Sequence, residues 1–229
     1  KMFITNGVHA DVYFVAAKTD TTVKGTRGIS MFIVEKGTPG FTVSRALKKH
    51  GWLSSDTAEL VFDNCRIPAR QILGAEGKGF APMQLRLTVR RLQMGAWCIG
   101  MAQRALDMMV EHVQQRVTFG EKLADRQAIQ WWIADAATKL HACRLMVMDA
   151  AVKQDEGRDV RIEASMIKVY ATEMATEIID HAQQSFGAMG VTQELPLSWL
   201  AQKVRTMRVY EGPSEVHRMV IARRILGGR

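Results

Sequence analysis

Near the end of the chain, RVYEGPSEVHR (Arg208–Arg218) sets one carboxylate, Glu211, between an aromatic residue and a glycine, just ahead of an apolar helical pattern. Pro213 suits the first position of a helix, where its fixed φ helps and its missing N–H costs nothing. Val216, Val220 and Ile221 continue an apolar face. Glu211 therefore falls in a short connection near the positive end of a helix. Taken alone, such a group is a solvated carboxylate complementing the helix dipole. Cys65, Cys98 and Cys143 are odd in number and widely spaced, with no CxxC pair. That pattern suggests neither a disulfide framework nor a metal site, and fits a reduced, cytoplasm-like compartment.

The elements that must position Glu211 fall into two regimes. From Lys1 to about Leu73, VYFVAAK, ISMFIVEK, FTVSRAL and AELVFDNCRI are β-branched or aromatic runs separated by NG, KGTRG, GTPG and HGWLSSD, which carry turn chemistry. Strands without intervening helices predict an antiparallel sheet or small barrel. From about Gly77 the period changes to that of long helices. Pro82 to Arg116 carries Leu92, Ala96, Ile99, Ala102, Leu106, Met109 and Val113 on one stripe. Asp125 to about Lys153 carries Ile129, Trp132, Ala136, Leu140 and Cys143; Val160 to Phe186 carries Ile162, Met166, Val169, Ile178 and Ala182. Shorter helices are predicted over Pro196–Tyr210 and Pro213–Leu226. The fold class is α+β: a small antiparallel β-domain, residues 1–75, followed by an antiparallel long-helix bundle, residues 76–229. The Met, Trp and Leu stripes read as core.

The 229 residues are 47% hydrophobic and 24% charged, and no run of roughly eighteen apolar residues appears that could span a membrane. No signal-peptide pattern is visible. The net charge of +8 favours anionic partners in general. The lysines and arginines are interleaved through helical patterns rather than clustered, which weighs against sequence-specific DNA binding. The chain opens in mid-pattern and reads as a piece whose upstream portion is missing.

The order of short motifs is more specific than any one of them. KMFITNG, FDNCRIP, ILGAEGKGF, AQRALD, RVTFGEKLADRQAIQ, QQSFGAMGV and YEGPSEVHR follow one another across essentially the whole chain. In that order they resemble the acyl-CoA dehydrogenase family, flavoenzymes of fatty-acid and branched-chain oxidation. The likeness covers the family's middle β-domain and C-terminal helical domain, without its N-terminal helical domain. YEGP with the following VHR looks closest to the subgroup of members ten and eleven.

The resemblance implies that Glu211 is the base that takes the α-proton of an acyl-CoA while the β-hydrogen leaves as hydride to the flavin N5 of FAD, giving a trans-2-enoyl-CoA. Some members carry the base earlier, at a position that is Arg90 here. By resemblance, Arg116, Thr118 and Phe119 meet the flavin across a subunit interface, with Gln127, Gln184, Gly187 and Ala188 on the adenosine side. Phe3, Ile4 and Thr5 stand where a Trp-Ile-Thr strand flanks the flavin ring, and Ser214 and Glu215 follow the base near the flavin. Arg91, Gly212 and Arg223 are the substrate-side candidates, Gly212 by permitting close approach. Locally, Arg116 is equally a helix-end arginine, Phe119 plain core, and QSFGAMG a helix ending. Burial should raise the pKa of Glu211 and the helix N-terminus should lower it; the residues leave the balance open.

The implied partners are an acyl-CoA, an electron-transferring flavoprotein as acceptor, and further copies of the chain in a homodimer or homotetramer. The compartment implied is cytoplasmic, or the mitochondrial matrix or peroxisome in a eukaryote. Alternatives on the same fold are an acyl-CoA oxidase, a non-catalytic DNA-associated relative, and a piece inactive by itself.

Overall fold

The computed structural model describes residues 1–227, and the chain divides into two compact units between Arg86 and Leu87. In the first unit the strands are β1 (Ile4–Thr5), β2 (Val12–Lys18), β3 (Ile29–Glu35), β4 (Phe41–Ala46), β5 (Thr57–Phe62) and β6 (Ile72–Leu73). They form two three-stranded sheets, in the orders β1-β5-β4 and β2-β3-β6, and every pair of strands is antiparallel. The period of two in VYFVAAK puts Tyr13 and Val15 inside and Val12 and Phe14 outside. Register runs from Val12 opposite Glu35 to Lys18 opposite Ile29. The core is small: Tyr13, Val15, Val34, Phe41, Ala58 and Leu60. Phe41 stacks on Phe62 at 4.9 Å and meets the Tyr13 ring edge-on at 4.7 Å.

Two boundaries differ from the sequence expectation. β5 stops at Phe62 instead of continuing through DNCRI, because Asn64 takes a left-handed conformation that turns the chain out of the sheet. The Gly77–Gly79 segment still belongs to the first unit: Gly77 N–H donates to Ser30 Oγ and Gly79 N–H to the Ile29 carbonyl, each at 2.8 Å. The division therefore falls past residue 75.

The helices are α1 (Phe80–Gln115), α2 (Gln127–Asp155), α3 (Arg161–Phe186), α4 (Pro196–Met207) and α5 (Ser214–Ile225). Between α1 and α2 lies a hairpin of β7 (Val117–Thr118) and β8 (Glu121–Lys122) that helical periodicity did not reveal. Its tip, Phe119–Gly120, has positive φ at both residues, the conformation that a two-residue hairpin turn requires.

α3 packs against α2, α4 and α5. A helix enclosed on several sides buries more than one stripe. Ala164, Ile167, Ala171, Met174, Ala175, Ile178, Ile179 and Ala182 are all buried, whereas Ile162, Met166 and Val169 of the expected stripe are only half-buried. On α1 the buried face is Leu92, Met94, Cys98, Ala102, Ala105, Leu106, Met109 and Val113; Ala96 is exposed. The α2 stripe is as expected, with Trp132 half-buried. α5 begins at Ser214, so Pro213 is the capping residue before the helix (ψ 157°) rather than its first residue.

Gly95 lets α1 approach its neighbours closely, since a Cβ there would stand 2.5 Å from Ile167 Cγ2 and 2.9 Å from Val147 Cγ2. Both obstacles are branch methyls that cannot swing aside. Gly95→Val is expected to destabilise the protein by about 1–3 kcal/mol through overpacking, read as a lowered urea midpoint with unchanged slope.

Candidate active site

Glu211 lies in the short connection between α4 and α5, as its surroundings in the sequence suggest. Glu211 (φ 56°) and Gly212 (φ 99°) are both left-handed. For a glutamate that conformation is costly, and it persists only where the surroundings impose it. The carbonyls of this turn show how it is imposed. Arg91, on α1, donates from Nε and Nη2 to the Glu211 carbonyl at 3.2 and 3.1 Å. His217, on α5, reaches the same oxygen from Nε2 at 3.2 Å. A carbonyl only accepts, so Nε2 carries the hydrogen and Nδ1 is the bare nitrogen, buried without a hydrogen-bond partner among the described residues. Lys168, on α3, is fully buried and donates from Nζ to the Arg208 carbonyl at 3.0 Å. Ser214 N–H donates to that same carbonyl at 3.2 Å.

The charges follow from burial. Desolvation, with help from Arg91, drives His217 down to about 4, so its imidazole is neutral. Desolvation and the Arg91 charge likewise bring Lys168 down to about 8. Glu211 is raised above the usual carboxylate range: burial outweighs Arg90, Arg91 and Lys168, which all favour its anion. Here the balance that the sequence left open is decided.

The Glu211 side chain is held on one side only. Oε1 accepts from Arg90 Nε at 3.2 Å, and the side chain is 18% exposed. Oε2 is buried and has no hydrogen-bond partner among the described residues. Arg90 in turn sits over the Trp97 ring at 4.4 Å.

Two substrate-side candidates take on other tasks in this structure. The Arg91 guanidinium is committed to the Glu211 carbonyl rather than extended towards a ligand phosphate. Gly212 is needed by its φ and by His217, because a Cβ there would meet Nε2 at 2.8 Å. Arg223 is exposed in the last turn of α5. Ser214 is buried and Glu215 exposed in the first turn of that helix. Lys168 was missed; its only sequence signal is a lysine between Ile167 and Val169 in an apolar run.

A second group of candidates gathers at the other end of the bundle. Arg116 is exposed just past α1, not in its last turn, and its carbonyl accepts from Leu123 N–H at 2.9 Å. Thr118 is on the hairpin, where its carbonyl accepts from Arg126 Nη2 at 3.1 Å. Phe119 is 99% exposed at the tip, so it is not core. Gln127 opens α2, whose N-terminus has no side-chain cap. Gln184, Gly187 and Ala188 are exposed where α3 ends, and Phe186 stacks on His112 of α1 at 4.0 Å. At 1.5 Å per residue, the stretch of α1 from Arg91 to its end at Gln115 spans about 36 Å. In the first unit, Phe3 (φ 62°) is exposed and precedes β1, Ile4 packs on that unit's core, and Thr5 is exposed opposite Thr57. No cluster of metal-ligating side chains, and no helix long and apolar enough to cross a membrane, occurs among the described residues.

Residues 1–65 match the sequence model of the acyl-CoA dehydrogenase middle domain and residues 77–226 that of the acyl-CoA dehydrogenase C-terminal domain. The chain is 42% identical to the acryloyl-CoA reductase (NADH) of Anaerotignum propionicum, over 99% of this chain and 57% of that protein. It superposes on butyryl-CoA dehydrogenase from Megasphaera elsdenii with a TM-score of 0.90 at 39% identity, covering 99% of this chain and 59% of that one. A structure described as PigA with FAD and proline gives a TM-score of 0.93 at 32% identity, covering 98% and 58%. The chain thus spans less than two thirds of the length of these relatives.

His217 makes the turn sensitive to acid. Its folded pKa lies below that of the unfolded chain, so its contribution is present above about pH 6.5 and is lost as pH falls towards about 4. Over that window the wild type is expected to lose up to about 3 kcal/mol more stability than His217→Gln, measured by urea unfolding at a series of pH values.

Proposed function

The chain belongs to the acyl-CoA dehydrogenase family, and we propose that it works with FAD in the α,β-dehydrogenation of an acyl-CoA thioester to the trans-2-enoyl-CoA, with Glu211 as the base. The observation that supports this best is the Glu211 carboxylate, which combines a raised pKa with one oxygen tied to Arg90 and the other buried and unpartnered. The α-proton of a thioester is only weakly acidic, so its base must be strong and held in place. Burial supplies the strength. The left-handed turn supplies the fixed position, because Arg91 and His217 grip the backbone of the same residue. In this reading the proton moves to Glu211 Oε2. The Glu211 backbone N–H serves the thioester carbonyl, where charge develops. Bound FAD supplies the hydride acceptor.

The exposed candidates at the far end of the bundle support FAD as the cofactor and a second copy of the chain as partner. About 36 Å of α1 separates Arg91 from Arg116, too far for one flavin to lie beside Glu211 and also reach Arg116, Thr118, Phe119 and Gln184 of the same copy. Those residues, with Gln127, Gly187 and Ala188, therefore serve the flavin of a neighbour in a homodimer or homotetramer. Phe3, Ile4 and Thr5 are assigned to the flavin ring. An electron-transferring flavoprotein is the proposed acceptor. A DNA-associated role gains nothing from the charge distribution, since Arg45, Arg126, Arg158, Arg161 and Arg218 each pair with a carboxylate.

Two measurements test this. Anaerobic addition of acyl-CoAs to the FAD-loaded protein is expected to bleach the flavin, at a rate that rises with pH as Glu211 ionises above the usual carboxylate range. Glu211→Gln is expected to slow bleaching by about 10²–10⁴-fold, and bleaching that survives the substitution would remove Glu211 as base. Admitting air then separates a dehydrogenase from an oxidase. Phe119→Ser, at a site with no packing to lose, is expected to leave the melting of flavin-free protein unchanged while weakening FAD retention in an equilibrium titration.

A further inference from the structure

Arg90 has no task in the mechanism so far, yet among the described residues it is the hydrogen-bond donor to the Glu211 carboxylate. Three groups hold its guanidinium. Nε donates to Glu211 Oε1 at 3.2 Å, Nη1 donates to Gln93 Oε1 at 3.3 Å, and the Trp97 ring lies under Cζ at 4.4 Å. Gln93 and Trp97 stand three and seven positions further along α1, on the same face, so the helix itself builds the seat. A planar cation laid on an indole and gripped at its edge keeps its orientation better than a free surface arginine.

We propose that Arg90 is a positioning residue for the base, fixing one carboxylate oxygen of Glu211 and holding the group ionised despite its burial, so that the other oxygen faces the proton it takes. This rests on the reading of Glu211 as base. The geometry divides the carboxylate: Oε1 is engaged and Oε2 is buried without a partner. Proton transfer breaks the substrate C–H bond, places the proton on Oε2 and leaves the electron pair on the substrate. Glu211 is then neutral, with its Oε1 still seated on Arg90.

The other groups facing the carboxylate act differently. Arg91 on α1 is spent on the Glu211 carbonyl and Lys168 on α3 on the Arg208 carbonyl. His217 on α5 is neutral, Glu215 there is exposed and of like charge, and Arg208 pairs with Glu173. Of the cations among the described residues, only Arg90 touches the carboxylate oxygens.

The test reads the protonation of Glu211 directly. In the FAD-loaded protein, infrared difference spectra across pH follow the carboxylic acid C=O band that Glu211→Gln abolishes. Arg90→Gln removes the charge that favours the anion, so the midpoint of that band is expected to rise by about one pH unit or more. Arg90→Lys should return most of the shift. The acid limb of flavin bleaching by an acyl-CoA should move by the same amount in each variant. An unchanged or lowered midpoint in Arg90→Gln, or equal midpoints for the Gln and Lys variants, would overturn the assignment. Should Glu211→Gln still bleach its flavin, the base reading itself fails and the Arg90 proposal with it. An inactive Glu211→Gln with an unmoved Arg90→Gln midpoint sinks the Arg90 proposal alone.

Discussion

The connection between α4 and α5 depends on one constraint: two successive residues, Glu211 and Gly212, must stay left-handed, and one of them is not glycine. Arg91 on α1 and His217 on α5 hold it at the Glu211 carbonyl, and Lys168 on α3 holds it at the Arg208 carbonyl, beside the local Ser214 N–H. Each of these side chains is buried or half-buried at a cost in desolvation, and the lowered pKa values of Lys168 and His217 record that cost. The close packing of α1 at Gly95 and the enclosure of α3 on several sides bring the three groups to one turn.

The same burial that encloses the turn raises the pKa of its carboxylate. A carboxylate buried without cations nearby would take up a proton from solvent. At Glu211 desolvation is the larger effect, while Arg90, Arg91 and Lys168 limit it. The division of labour is spatial. Cations that grip the backbone set where the carboxylate stands, and the one cation on the side chain sets which oxygen is occupied.

The opposite end of the bundle works by a different principle. There the candidate residues are exposed, and Phe119 has almost no contact with its own chain. A hairpin tip that carries a bare aromatic ring beside an uncapped helix N-terminus is suited to a ligand or a second copy, not to the stability of the chain that bears it. The length of α1 keeps the two ends apart, so a buried carboxylate and an exposed aromatic tip coexist on one bundle.

The order of strands and long helices, the turn holding Glu211, and the α2 stripe were legible from the chain alone, because alternation, helical spacing and the placement of Gly and Pro are local properties. Local pattern failed where tertiary contact decided the outcome. The first half of the α3 stripe came out in the wrong phase because that helix is surrounded. The hairpin of Val117–Thr118 and Glu121–Lys122 was hidden in a segment read as a brief connection between helices. The contacts of Arg91 with the Glu211 carbonyl and of Gly212 with His217 had no local signal, and Lys168 carried none beyond its apolar neighbours. The amino-acid sequence by itself determined which residue types stand at the turn. Only the tertiary structure decided the ionisation of Glu211 and the oxygen that Arg90 occupies, since both depend on desolvation and on charges brought together from helices far apart in the chain.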